Sequence, residues 1–77
     1  MNNARRKKIE ALIIAIEELQ RDLEEIKDEE QEAFDNMPES IQYSERGEKS
    51  EEAINSMESA IDELESAATN LQEAIEQ

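Results

Sequence analysis

The chain has no cysteine, histidine, tryptophan or valine, and only one residue each of glycine, proline, phenylalanine and tyrosine. Without cysteine there is neither a disulfide framework nor a thiol nucleophile. Without histidine there is no zinc site of the usual kind and no imidazole for acid–base catalysis near neutral pH. The sequence also lacks an EF-hand loop, a glycine-rich phosphate cradle and a Glu-x-x-His di-metal pattern. Long apolar runs are missing too. Met1 to Lys8 has the positive residues of a secretory leader, but the stretch Ile9 to Ile16 is broken by Glu10 and runs into Glu17 and Glu18. The expectation is a non-enzymatic cytoplasmic protein with no cofactor, no metal and no membrane association.

Basic residues are scarce as well, with 8 Lys and Arg against 22 Asp and Glu, a formal net charge of −14 over 77 residues. Leu, Ile and Phe together make up 15 of those 77 residues, which with this charge sits at the compositional border of disorder. What places the chain on the folded side is periodicity. Ile54, Ile61, Ala68 and Ile75 recur every seven residues, with Met57, Leu64 and Leu71 between them and Ala53, Ala60, Ala67 and Ala74 just ahead. That pattern is a helix with one apolar seam and a row of alanines beside it, and such a seam requires a second helix to cover it.

The first half supplies that helix. Ile9, Ile16 and Leu23 form one heptad series, which Glu30 interrupts, and Leu12, Leu19, Ile26 and Ala33 form the other. The sequence therefore predicts a single all-α domain over residues 1–77, an antiparallel two-helix coiled-coil hairpin. Its helices cover about 4–35 and about 45–76, with a connecting segment of about 36–47 that holds the only Pro and the only Gly. Within the connection, Asn36 is expected to cap a short helix from Pro38 to Tyr43, and Ser44 to cap the second long helix. Gly47 is expected to let the backbone bend. Pairing residues whose numbers add to about 84 sets Ile9 near Ile75, Leu12 near Leu71, Leu19 near Leu64, Leu23 opposite Ile61 and Ile26 near Met57. It also brings Glu73, Glu76 and the terminal carboxylate beside the basic start of the first helix.

Ile13 and Ile14 lie outside this expected seam and lack partners, which together with the small core of so short a chain predicts dimerisation into a four-helix bundle through them. Charge points to a different partner. At 1.5 Å per residue the hairpin is about 45–50 Å long, giving about one carboxylate per 2.2 Å of axis against about one phosphate per 1.7 Å of duplex DNA. Such a rod repels nucleic acid and is drawn to basic surfaces that bind it. The expected contact residues are Glu17, Glu18, Asp22, Glu24, Glu25, Asp28, Glu29 and Glu32 of the first helix, with Phe34 and Tyr43 as a patch at the turn. Two other readings stand beside this one. In the first, the chain is a structural oligomerisation module whose acidic faces keep it soluble. In the second, it sequesters a small anionic ligand through the cluster Arg5, Arg6, Lys7 and Lys8.

The run from Asp28 through Phe34, Asp35, Asn36, Met37, Pro38, Glu39 and Ser40 to Ser44, Glu45, Arg46, Gly47 and Glu48, followed by Ala-Ile heptads, resembles small acidic helical proteins of bacteriophages and mobile elements. The resemblance implies an inhibitor of a host nucleic-acid enzyme or antiviral defence protein, working in the host cytoplasm. It brings no active-site residues with it.

Overall fold

Asn2 opens the first helix: its side-chain oxygen accepts a hydrogen bond from the backbone N–H of Arg5 at 2.8 Å, satisfying a donor that the helix start leaves unpaired. The computed structural model describes residues 1–77 and is helical apart from short connections. Helix α1 spans Asn3–Asp35, α2 spans Glu39–Gln42 and α3 spans Glu45–Glu76. Neither long helix contains proline, and their apolar spacing persists from end to end, so nothing stops either one before the connection. The molecule is a rod of 58 × 15 × 12 Å.

The long helices lie side by side and antiparallel. Arg6 reaches Ile75, Gln20 reaches Ile61, Lys27 meets Glu58 and Glu30 meets Ser50, so facing residues have numbers that add to about 80–85. On α1 the partly or fully buried residues are Arg6, Ile9, Ile13, Ile16, Gln20, Leu23, Lys27, Glu30 and Phe34, alternating by three and four. On α3 they include Gly47, Ser50, Ile54, Met57, Ile61, Leu64, Ala68, Leu71 and Ile75, with the same alternation. Both are heptad seams that face one another.

This register differs from the expected one in one series. Ile13, Gln20, Lys27 and Phe34 occupy the places assigned above to Leu12, Leu19, Ile26 and Ala33, which lie on the flank and are exposed. Ile13 is therefore an interior residue, 8% exposed, and is not free to contact a second copy as the sequence reading expected; Ile14 remains on the surface. The physical reason is width. The apolar stripe of α1 is broader than one partner helix can cover, and Ile13 lies about 40° around the helix from Ile9 whereas Leu12 lies about 60° away. The chosen rotation also gives the polar seam residues partners: the Gln20 amide donates to the Ile61 carbonyl at 3.4 Å, and Ser50 Oγ donates to Glu30 Oε1 at 2.7 Å.

At the connection, the expectations for Asn36 and Gly47 are corrected, and that for Ser44 holds in position. Asn36 ends α1 as its C-cap, with its N–H bonded to the Glu32 carbonyl, and does not start α2. Ser44 occupies the N-cap position of α3, but its hydroxyl donates back to the Ile41 carbonyl and not into α3. Gly47 sits inside α3 without a positive φ, so its role is space and not bending. A Cβ there would stand 2.5 Å from the Gln42 carbonyl carbon and 2.6 Å from Gln42 Cα, closer still to its oxygen. Only glycine lets the first turn of α3 abut the end of α2. Helix propensity alone favours Ala over Gly by about 1 kcal/mol in a helix interior. The backbone clash reverses that sign, and Gly47→Ala is expected to cost about 1–3 kcal/mol. A thermal melt followed by circular dichroism reads this as a fall of about 4–8 °C per kcal/mol for a chain of this size.

Candidate functional site

With the seam placed, every other residue of α1 and α3 falls on a flank or on an outer face. On one flank, Glu10, Glu17 and Glu24 of α1 follow the seam at seven-residue intervals, and Glu51, Glu58 and Glu65 do the same on α3. Shallow depressions along this flank are shared by the two helices: Gln31 with Glu51 and Asn55, Glu24 with Glu58 and Glu65, and Glu10 with Gln72. Repeats of seven residues at 1.5 Å each space the carboxylates of each row by about 10.5 Å. The two rows, one from each helix, run along the same side of the seam and line a shallow acidic groove.

Lys27 is the cation that enters this groove from the seam. Its ammonium lies 3.7 Å from Glu58 Oε1 with the side chain 25% exposed, and Glu24 and Glu65 border the same depression. The other ion pair, Lys49 with Glu45 at 3.2 Å, is a surface contact one turn apart on α3. No three carboxylates converge closely enough to hold a metal ion.

The opposite flank is of another kind. Leu12, Leu19 and Ile26 form a line on α1 and are 56%, 56% and 53% exposed. Across from them runs the alanine row of α3, in which Ala60, Ala67 and Ala74 are partly covered and Ala53 is open. The charges beside these rows are mixed in sign: Arg5, Lys8, Arg46 and Lys49 against Asp22, Glu29 and Glu63. The net −14 of the chain therefore resides almost wholly on the carboxylate flank and the outer faces.

This geometry divides the expected contact set. Glu17 and Glu24 belong to the carboxylate flank, with Asp28 at its outer edge. Glu18, Glu25 and Glu32 lie on the back of α1, away from α3. Asp22 and Glu29 stand on the other side, beside the Leu12–Ile26 line. Glu51, Glu58 and Glu65 were outside the expected set, and their heptad spacing on α3 was the available signal. The turn patch separates too. Phe34 is half-buried in the seam and its carbonyl accepts from the Gln42 side chain at 3.1 Å, whereas Tyr43 is 78% exposed at the tip.

The basic start is likewise not one cluster. Successive residues of a helix point about 100° apart, so Arg5, Arg6, Lys7 and Lys8 diverge. Arg6 is engaged with the far end of α3: Nε donates to the Ile75 carbonyl at 3.1 Å and the guanidinium to the Gln77 carbonyl at 3.4 Å. The contact expected with Glu73 and Glu76 is thus made to backbone carbonyls, where the negative end of the α3 dipole lies.

Comparison of the chain with protein-family models, with curated proteins and with solved structures returned no match. No helix is long and apolar enough to cross a membrane.

Replacing Lys27 tests how the groove and the seam share this residue. Lys27→Met places an apolar side chain in the seam and removes the cation between the acidic rows. In about 1 M salt, where the carboxylates are screened, the variant is expected to be more stable than the parent by about 0.5–1 kcal/mol in urea unfolding. At low ionic strength that advantage is expected to shrink or vanish.

Proposed function

We propose that this chain is a binding module, an antiparallel coiled-coil hairpin that offers its carboxylate-lined flank to a basic surface of another protein, of the kind that otherwise contacts nucleic acid. The reading is of binding and not of catalysis. The observation that supports it most is the segregation of charge. Glu10, Glu17 and Glu24 on α1 and Glu51, Glu58 and Glu65 on α3 line one flank with regular spacing and outnumber its cations, Lys27 and Arg21 among them, whereas beside Leu12, Leu19 and Ile26 on the other flank the two signs are nearly balanced. Acidic residues needed only for solubility have no reason to be sorted in this way. A row of carboxylates about 10.5 Å apart on a straight, stiff support attracts Lys and Arg of a groove that follows a phosphate backbone, and does so without the cost of ordering its own backbone. The resemblance to acidic phage products points to a host nucleic-acid enzyme or defence protein as the target, bound in the host cytoplasm.

Two triple variants with the same change in net charge test the reading. One carries Glu17→Lys, Glu24→Lys and Glu58→Lys on the carboxylate flank; the other carries Glu18→Lys, Glu25→Lys and Glu32→Lys on the back of α1. Each is immobilised beside the parent, exposed to nuclease-treated bacterial lysate, and eluted with a salt gradient. The parent and the variant on the back of α1 are expected to retain the same basic protein to similar salt, and the carboxylate-flank variant to release it at much lower salt or not to bind it. Equal loss in both variants would show that overall charge alone is responsible and would overturn the reading.

A further inference from the structure

The flank formed by Leu12, Leu19 and Ile26 with the alanine row of α3 has no role in the carboxylate-flank reading. Seven-residue spacing at 1.5 Å per residue makes it an apolar line about 21 Å long, and each of its three large side chains is more than half exposed. Scattered exposed leucines need no explanation, but these are collinear and adjoin a row of small residues that permits close approach of another helix. Meanwhile the molecule has little interior. No side chain is fully enclosed, and Ile13, Ile54 and Ile61 are its only buried large apolar residues.

Surface area gives a measure of what is missing. The accessible surface is 5719 Å². A compact monomer of 8.9 kDa exposes about 4,800 Å². The excess, about 900 Å², is close to the roughly 800 Å² that each partner contributes to a standard protein–protein interface.

We infer that this flank is the self-association face, and that two copies pack through it into a four-helix bundle. A second copy fits it better than a foreign protein does, for two reasons of charge. A basic partner is drawn to the opposite flank, whereas this one mixes both signs; self-association here keeps the two carboxylate flanks on the outside, where they are farthest apart. The mixed charges are also self-complementary. Leu19 is the midpoint of α1, so a two-fold axis through it sets Leu12 level with Ile26 of the second copy. The same axis brings Lys8 within one residue, about 1.5 Å along the axis, of the level of Glu29 of the second copy. The interface therefore uses Leu12, Leu19 and Ile26, and uses neither Ile13, which is inside the helical pair, nor Ile14, which projects on the carboxylate side beside Glu10 and Gln72.

Sedimentation equilibrium of the full chain over a wide concentration range tests this directly. The parent and Ile14→Lys are expected at twice the 8.9 kDa chain mass, and Leu19→Lys, still helical by circular dichroism, at the single-chain mass, with its dissociation constant raised at least about 100-fold. Because the chain has no cysteine, a second measurement covers the case in which Leu19→Lys fails to fold. Leu19→Cys is expected to cross-link to a covalent dimer rapidly under mild oxidation, and Ile14→Cys slowly. A parent that stays at the single-chain mass throughout, or a dimer that Leu19→Lys leaves intact, or equal cross-linking of the two cysteine variants, would overturn the inference. None of these readouts involves the basic partner, so failure here leaves the carboxylate-flank reading to stand or fall by its own test.

Discussion

One helix can cover only one seam of another, and the apolar stripe of α1 is wider than a seam. Ile9, Leu12, Ile13, Ile16, Leu19, Leu23 and Ile26 cannot all face α3 at once. The rotation adopted places Ile13 inside and Leu12, Leu19 and Ile26 outside, and the rest of the surface follows from it. Once Ile13, Gln20 and Lys27 are seam residues, Glu10, Glu17 and Glu24 must line one side of α3 and the leucine line the other. The two-sided character of the rod thus depends on the rotation of α1 about its own axis, which decides on which side of the seam each charged and apolar column of α1 falls.

Polar groups help to hold that rotation. Arg6, Gln20, Lys27 and Glu30 interrupt the apolar seam of α1, yet each finds a partner on α3: the Ile75 carbonyl, the Ile61 carbonyl, the Glu58 carboxylate and the Ser50 hydroxyl. Turning α1 to bury the leucine line would break these bonds and leave Ser50 enclosed without its acceptor, a penalty of about 1–3 kcal/mol for a buried polar group. Buried polar contacts that select one register among several apolar ones are a known device in heptad helices. Here they act against a choice that hydrophobicity alone would make attractive.

This explains which features were legible in the sequence and which were not. Two long helices and a break around Pro38 could be read because heptad spacing, the lone Pro and the lone Gly are local signals. The seam partner of Ile9 and Ile16 was misassigned because Leu12 and Ile13 are both apolar, and composition does not distinguish them; the smaller angle from Ile9 to Ile13 does. Glu51, Glu58 and Glu65 share their heptad spacing with Glu10, Glu17 and Glu24, but that the two rows fall on the same side of the seam depends on the rotation of α1 against α3, which no local signal fixes. The crowding at Gly47 has no local signature, since it depends on how Gln42 approaches from α2.

The two ends of the rod are secured very differently. At one end the backbone of Gln42 rests against Gly47, Gln42 bonds to the Phe34 carbonyl, and Ser44 bonds to the Ile41 carbonyl, so that both long helices are braced through α2. At the other end the tie is the guanidinium of Arg6 on the last carbonyls of α3. The closed end joins the helices through a loop of few residues, so contacts there cost little chain entropy to form and those farther out are added one turn at a time. The molecule is in mechanical terms a zip fastened at its base, and fraying is expected to begin at the Arg6 end and to shorten the paired length while the brace holds.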